Sequence, residues 1–407
     1  MQKKKILFVC QYFYPEVFRG NDVAFHLAKE GHDVNVLCGI PNYPTGKYFP
    51  GYGLFKKRKE VVQGVNVIRM PIVPRGNGGK IMLMLNYFSY FIIAWVWMLF
   101  HAISHKYDMV ICQQLSPVMM SSPAILYKRL RKVPLYIWVL DLWPESLSAA
   151  GGITNKYILN FFKLFVKSEY LHSDKILMSS NSFRESILTY GDYEDKLIYF
   201  PQWADCISTD NYHSQNHLPK LPSGFIVMFA GAIGEAHGME SNLHAALLTK
   251  NYKDIHWVYV GDGRKLEWVN KFVEENSLTD TVHTLGRFPA ESMPLFFDKA
   301  DVMLVSLTDS PLFNLYAPAK ISSYMASGKP VIAALNGEGA EVIRDADCGW
   351  HISAGDGASL AELVINLSKE DPSILVSKGE NARKYYNEYF EKNMSLIKLN
   401  VILGFNE

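Results

Sequence analysis

The stretch from residue 314 to residue 334, NLYAPAKISSYMASGKPVIAA, constrains the fold more tightly than any other part of the chain. Pro318 opens a segment of good helix formers that runs to Gly328, a natural helix stop. Pro330 then leads into the apolar run Val331 to Ala334. The order is loop, helix N-terminus, short helix, glycine turn and buried strand. A helix N-terminus carries free N–H groups and partial positive charge, which suits a phosphate. Lys320 stands in the first turn, where the helix dipole disfavours a cation. We read it as the partner of an anion, because lysine is a standard point charge for phosphate. A solvated surface lysine is the alternative.

With 407 residues and 49% apolar content, the chain can bury two ordinary cores, and two domains are expected. The five cysteines (10, 38, 112, 206 and 348) lack metal or redox spacing. Three of them end strand-like apolar runs, so they read as reduced core residues of a cytosolic protein. Met1 to Lys5 is basic, but the apolar run behind it, Ile6 to Cys10, has only the length of a strand, so no signal peptide is expected. A net charge of +1 argues against a nucleic-acid binder.

Split at residue 205, the first half holds 24 Lys and Arg against 15 Asp and Glu, and the second 17 against 25. That asymmetry suggests that one half faces an anionic surface. The clusters Lys56-Lys57-Arg58-Lys59 and Lys128-Arg129-Arg131-Lys132 supply much of the excess, with solvated loops as the alternative for each.

Lys5 to Cys10 is a continuous apolar run, the mark of a central parallel strand covered on both faces. A helix is expected over Val23 to Glu30, capped by Asn21 or Asp22 and stopped by Gly31, and then a strand over Val34 to Cys38. This βαβ start is common to nucleotide-type α/β folds, but no GxGxxG follows the strand, which lowers a dinucleotide reading.

Ile81 to Ile103 is 23 residues without Asp, Glu, Lys or Arg. Its length would span a bilayer. Asn86, Ser89 and two tyrosines interrupt it, its aromatics are spread rather than belted, and a buried-type strand, Met109 to Cys112, follows at once. A long helix is expected, partly packed on the sheet and partly dipped into a membrane interface, with a wholly buried core helix as the alternative. After the strand Leu135 to Leu140 comes DLWPES, whose Asp141 stands where an open α/β sheet projects residues into its ligand crevice. Asp141 there could orient or deprotonate an acceptor hydroxyl, or merely cap a turn.

The second half begins behind a polar, proline-bearing linker, Asn211 to Gly224. The strand Phe225 to Ala230 runs into GAIGEAHGMES, a glycine-rich turn that lets backbone N–H groups approach a phosphate. Ile255 to Val260 followed by Gly261, Asp262, Gly263 and Arg264 repeats that logic. Further strands are expected over Thr284 to Arg287 and Asp301 to Ser306. NGEGAE after Ala334 places Glu338 and Glu341 at the same crevice, and Asp356 to Glu407 reads as helical. No metal-ligand cluster is visible, so no metal and no cofactor are expected.

The opening stretch matches a family pattern, approximately P-S-K-x-x-E-Y-M-A-x-G-x-P-V-I, at Pro318, Lys320, Tyr324, Met325, Ala326, Gly328, Pro330, Val331 and Ile332. In this the chain resembles the family-four retaining glycosyltransferases of GT-B fold. The runs L-A-x-x-G-H-x-V-x-V-L, P-N-Y-P-x-G and D-L-W-P-E resemble the bacterial surface-polysaccharide (O-antigen and capsule) members, transferases of the L-fucosamine type. The resemblance implies an α/β protein of two doubly wound Rossmann-like domains facing an interdomain cleft. Residues 1–205 would bind the acceptor and face the membrane, 206–384 would bind the donor, and a helix within 385–407 would cross back to the first domain.

It further implies metal-independent hexosyl transfer from a nucleotide-sugar donor, UDP-linked by our reading, with the sugar an N-acetylated 6-deoxyhexose. The acceptor would be a polyprenyl-diphosphate-linked saccharide at the inner face of the cell membrane, reached through residues 81–103 and the basic clusters, with no nucleic-acid partner. The implied donor residues are Gly231, Gly234, His237, Gly261, Asp262, Gly263, Arg264, Leu315, Tyr316, Ala317, Lys320, Ser323, Glu338 and Glu341. Asp141 and Glu145 are the catalytic candidates, and Gly20, Asn21, Asp22 and Tyr43 the acceptor candidates.

Three positions depart from the pattern: Leu315 and Ser323 stand where the family has glutamates, and Ala232 where it has a donor side chain. Ser323 and Glu338 are expected to share the ribose contact. The departures keep a catalytically weak partner subunit as an alternative, which transfer by the purified chain would exclude. A sugar-nucleotide epimerase, the other alternative, would have no use for the apolar 81–103 segment.

Overall fold

The computed structural model describes residues 2–149, 153–204 and 219–405. They form two compact units, one of Met1–Pro201 with Leu396–Glu407 and one of Gln202–Ser395. Cys206 and residues 211–218 of the expected linker lie outside the described residues.

The first unit is built on β1 (Lys5–Val9), β2 (Asp33–Gly39), β3 (Lys59–Val62), β4 (Val65–Met70), β5 (Met109–Gln114), β6 (Leu135–Val139), β7 (Lys175–Met178) and β8 (Leu197–Tyr199). They lie in the order β3-β4-β2-β1-β5-β6-β7-β8. Every neighbouring pair is parallel except the β3–β4 hairpin at the edge. Parallel strands need crossovers. These contain α1 (Arg19–Lys29), α2 (Lys80–Ser104), α3 (Ser122–Arg131), α4 (Glu145–Ala149), α5 (Lys156–His172) and α6 (Phe183–Leu188).

The second unit holds β9 (Phe225–Ala230), β10 (Ile255–Val260), β11 (Val282–Gly286), β12 (Val302–Ser306), β13 (Val331–Ala334) and β14 (Gly349–Ile352), all parallel. Their order is β11-β10-β9-β12-β13-β14. Its helices are α7 (Met239–Leu248), α8 (Leu266–Glu275), α9 (Met293–Asp298), α10 (Ala319–Ser327), α11 (Glu338–Asp345), α12 (Gly357–Leu367) and α13 (Pro372–Tyr385). The chain rejoins the first unit within α14 (Lys392–Ile402). There Lys398 Nζ donates to the Tyr199 carbonyl at 3.0 Å, and the Phe405 and His32 rings lie 4.2 Å apart.

Continuous apolar strands are explained by helices on both sheet faces. In the second unit Met228, Val258, Met303 and Ala333 face Ile321, Tyr324 and Met325. Phe229, Trp257, Leu304 and Ile332 face the opposite way, against Leu243, Val269 and Leu360. In both units the strand order reverses beside the first strand, between β1 and β5 and between β9 and β12. Such a point opens a crevice beyond the carboxyl ends of the strands.

One expectation is corrected and one alternative is excluded. Helix α1 starts at Arg19, with Phe18 and not Asn21 or Asp22 as its cap residue. Asn21 is drawn inside the helix because its side chain accepts from Tyr14 N at 3.2 Å and donates to the Glu16 carbonyl at 2.6 Å. Helix α2 is not a wholly buried core helix. One stripe, Asn86, Tyr90, Ala94, Met98, His101 and Ala102, is buried, while Ile81, Ile92, Phe100 and Ile103 are each more than half exposed.

The two glycine-rich turns of the second unit are packed against each other. A Cβ on Gly261 (φ +149°) would sit 1.9 Å from the Gly231 carbonyl oxygen, and one on Gly263 would sit 2.1 Å from that of Ile233. Gly261→Ala should therefore cost at least about 2 kcal/mol, read as a lowered denaturation midpoint. An unchanged midpoint would mean that the turns are free to part.

Candidate functional site

The second unit gathers its chemistry where its strand order reverses. After β9 the loop from Gly231 to Gly238 is fastened to the end of β12. Thr308 N donates to the Ala236 carbonyl at 3.0 Å, Ser306 Oγ donates to the His237 carbonyl at 2.7 Å, and Asn242 Nδ2 donates to Ser306 Oγ at 2.8 Å. Ile233 N donates to the Asp262 carbonyl at 2.9 Å, so the neighbouring Gly261–Arg264 turn is held to the same loop. Neither expected glycine turn is loose.

Helix α10 points its N-terminus at this place, with Pro318 as cap residue and Gly328 (φ +70°) as the left-handed stop. Lys320 enters from its first turn. The Nζ is out of solvent and has no hydrogen-bond partner among the described residues. It lies 3.5 Å from the centroid of the Phe229 ring, on β9, and a Cβ on Gly231 would stand 3.1 Å from it. Burial pulls its pKa from 10.5 down to about 7. His237 shares the environment: burial first, and the Lys320 charge second, bring its imidazole down to about 4. Its Nδ1 is likewise buried without a partner. A buried cation without a counter-charge is costly, so the arrangement suits an incoming anion.

The other donor candidates surround this centre to different degrees. The turn at Phe313–Leu315 abuts Gly337, where a Cβ would meet the Asn314 carbonyl oxygen at 2.0 Å. This places Leu315, Tyr316 and Ala317, all half-buried, beside the N-terminus of α11. Glu338, in the first turn of α11, is buried, and a Cβ on the next residue, Gly339, would lie 3.1 Å from Pro318 Cδ, so the two helix starts adjoin. Ser323 is half-buried and turns its hydroxyl back to the Ala319 carbonyl at 3.3 Å. Glu341 is exposed and engaged by Arg344. Asp262, Gly263 and Arg264 are exposed, and Asp262 Oδ1 accepts from Gly263 N at 2.7 Å. The neighbouring Lys265 is spoken for by Glu235 and Glu240.

In the first unit Asp141 stands two residues beyond the end of β6. It accepts from the hydroxyls of Ser116 and Ser146 and from Trp143 Nε1 at 3.2 Å. Glu145 Oε1 accepts from Ser186 Oγ at 2.8 Å, and its Oε2 is buried without a hydrogen-bond partner. Gly20 serves close packing, since a Cβ there would lie 2.1 Å from Gln113 Oε1 on β5. Asp22 pairs with Arg19 at 3.8 Å. Tyr43 is 40% exposed.

The sequence reading missed Glu16, almost fully buried, which accepts from Asn42 N at 2.7 Å and Tyr43 N at 2.6 Å. Burial raises its carboxyl to about 7, against the opposing pull of these bonds. An acid in the loop after the first strand was the available signal. Among the described residues no group of three His, Cys, Asp or Glu converges to hold a metal.

Residues 224–370 match the family model described as glycosyl transferases group 1. The chain is 25% identical over 292 residues to the probable glycosyltransferase WbjE of Pseudomonas aeruginosa, covering 68% of this chain and 71% of the relative. It is 22% identical over 317 residues to WcaI of Escherichia coli (strain K12), named for a glycosyl transferase role in colanic acid biosynthesis, covering 74% and 75%. The crystal structure of Alr3699/HepE from Anabaena in complex with UDP superposes with a TM-score of 0.68 at 14% identity, covering 98% of this chain and 99% of that one.

The lowered pKa of Lys320 has a direct consequence. Its folded value lies below the unfolded one, so the burial is without cost above pH 10.5 and increasingly destabilising as pH falls toward 7. An anion that pairs with Nζ raises the pKa again, so binding takes up a proton. Calorimetry of a nucleoside diphosphate at pH 8, in buffers of different ionisation enthalpy, should show uptake approaching about one proton, lost in Lys320→Met. Binding without uptake would place the anion elsewhere.

Proposed function

We propose that this chain, a glycosyltransferase of GT-B fold whose residues 224–370 match the group 1 family, moves a sugar from a UDP-linked donor to a lipid-linked saccharide during bacterial polysaccharide biosynthesis. The observation that carries this reading is the buried, unpaired Lys320 Nζ at the start of α10, which takes up a proton as an anion pairs with it. The leaving group of such a transfer is a nucleoside diphosphate, whose negative charge grows as the glycosidic bond breaks. A fixed cation and two adjoining helix N-termini in a water-poor site stabilise that growing charge more than the ground state, which is what accelerates the step.

The ribose contact falls to Glu338 and Ser323, and the phosphate contacts to the Gly231–Gly234 and Gly261–Arg264 turns, with His237 neutral beside them. The acceptor is handled by the first unit, where Asp141, held by two serine hydroxyls, orients or deprotonates the attacking hydroxyl, and Glu145 supports its loop. Retention of configuration, and an N-acetylated 6-deoxyhexose of the L-fucosamine type as the sugar, rest on the family resemblance. The solved HepE complexes with UDP, and with UDP and glucose, support the uridine nucleotide.

The acceptor side of the reading is supported by α2. Ile81, Leu85, Ile92, Val96, Phe100 and Ile103 lie on one face and are 45–77% exposed, whereas the opposite, buried face carries Asn86, Tyr90 and His101. A helix that hides its polar residues and shows its apolar ones has the polarity of one lying on an apolar phase. With the basic clusters of the first unit, it supports peripheral attachment at the cytoplasmic face of the cell membrane.

Two experiments test these assignments. In titrations with a panel of nucleotide sugars, Lys320→Ala should weaken donor binding by about 1.5–3 kcal/mol, and Glu338→Gln should cost more than Ser323→Ala because it removes a charge-assisted bond. Wild-type affinity in Lys320→Ala would remove the donor assignment. In flotation with anionic vesicles, high salt should release only part of the protein, because basic residues contribute on the order of 1 kcal/mol each and are screened while apolar insertion is not. Ile92→Glu with Phe100→Glu should make release by salt complete, and a wild-type chain that ignores the vesicles would refute the attachment.

A further inference from the structure

The loop between β4 and α2 carries Arg75 into a ring of aromatic side chains drawn from elsewhere in the first unit. Its Cζ lies 5.7 Å from the ring centroid of Tyr12, 5.1 Å from that of Tyr43 and 5.8 Å from that of Tyr87. Nη1 donates to Tyr12 Oη at 2.9 Å. Phe18 closes the ring, stacked on Tyr12 at 5.1 Å and tilted to Tyr43 at 5.5 Å. Aromatic faces stabilise a guanidinium without using its N–H donors.

Among the described residues no carboxylate stands within ion-pairing distance of Arg75. Glu16 is close enough for the two charges to be felt, but its oxygens accept from the backbone N–H groups of Phe13, Asn42 and Tyr43. An arginine has five donors, so most of those on Arg75 are uncommitted.

The loop is fixed at every turn. Val73 N donates to Ser89 Oγ at 2.9 Å, and Asn86 Nδ2 donates to the Val73 carbonyl at 2.6 Å. Arg75 N donates to Asn42 Oδ1 at 3.0 Å. Gly76 N donates to the Gly46 carbonyl at 2.9 Å, and a Cβ on Gly46 would collide with the Gly76 carbonyl oxygen at 1.7 Å. Gln11 Nε2 in turn donates to Asn86 Oδ1 at 2.8 Å. Buried polar groups are tolerated when a connected network satisfies them, and this one rigidifies the backbone that aims Arg75.

Tyr87 belongs to α2 and lies one turn on from Met84, an apolar side chain that is 45% exposed near the start of that helix. Burial raises the Tyr87 phenol, the Arg75 charge opposes that, and the Asp141 carboxylate adds to the rise, so the proposed acceptor base lies within electrostatic reach of the ring. A fixed guanidinium without an ion pair thus stands beside the start of α2, in a ring that feels the Asp141 carboxylate.

We propose that Arg75, caged by Tyr12, Tyr43 and Tyr87, binds the phosphate of an apolar-tailed phosphate or diphosphate acceptor, with its tail along the exposed face of α2. The proposal rests on the lipid-linked acceptor reading and adds the group that recognises the charged link. Arg75 is a binding residue and takes no part in proton transfer. Farnesyl diphosphate in detergent micelles, titrated into the whole chain, is the probe, with farnesol and inorganic pyrophosphate as separate arms and UDP as the fold control.

Arg75→Ala should weaken farnesyl diphosphate by at least about tenfold, with Arg75→Lys intermediate because it keeps the charge and loses the fork, and with farnesol and UDP unaffected. Equal affinity in wild type and Arg75→Ala would overturn the proposal and leave the lipid-linked acceptor standing. A wild-type chain that binds UDP but not farnesyl diphosphate would overturn both. Pyrophosphate binding as tightly as the farnesyl ester would refute the role of the tail. Should Arg75→Ala lose UDP as well, through misfolding, Arg75→Lys and Tyr87→Phe decide: wild-type affinity for farnesyl diphosphate in both overturns the proposal.

Discussion

A lysine Nζ buried in the protein without a counter-ion is the constraint to which the second unit is fitted. Lys320 reaches its position because Pro318 starts α10 where the strand order of the sheet reverses, and Phe229 gives its Nζ an aromatic face in place of water. Gly231 must lack a side chain for the lysine to pass, and Gly261 must lack one for the loop of Gly231 to stay in place. His237 is kept neutral largely by the same burial and by the lysine itself. The burial of Lys320 is a cost, and the proposed diphosphate would relieve it by pairing with Nζ. Preorganisation of this kind is how an enzyme has its stabilising charge in position before the bond breaks.

The first unit solves a different problem with similar means. Its apolar helix α2 buries its polar stripe, and the buried amides and hydroxyls do not stabilise a core in the ordinary sense. Asn86 and Ser89 hold the loop of Val73, Asn42 holds Arg75, and Glu16 holds Asn42 and Tyr43. Removing one member would leave buried partners unsatisfied, a loss of roughly 1–3 kcal/mol for each. The outward apolar stripe and the inward hydrogen-bonded one thus divide α2 into an exposed side and a side that fixes the neighbouring loops.

Much of this was legible in the chain. The apolar runs Lys5 to Cys10, Phe225 to Ala230 and Ile255 to Val260 are strands because their continuity demands cover on both faces, and Gly328 and Pro330 end α10 for reasons local to those residues. Lys320, with its proline before and its glycine after, announced itself. What failed was local capping logic at Asn21 and Asp22. The Asn21 side chain had a nearer use in fastening the loop before α1, and that bond depends on how the chain doubles back at Glu16.

The sequence by itself determined the continuous apolar strands and the start and stop of α10, because these follow from periodicity and from turn chemistry. Tertiary structure alone decided which side of α2 faces outward, since its composition is apolar nearly all round and only the sheet beneath selects the buried stripe. It alone decided that Glu338 is buried while Glu341 is spent on Arg344, three residues further along the same helix. It alone brought Arg75 to Tyr12, Tyr43 and Tyr87, residues far apart in the chain whose aromatic and cationic character signals nothing until the strands β1, β2 and β4 set their ends side by side.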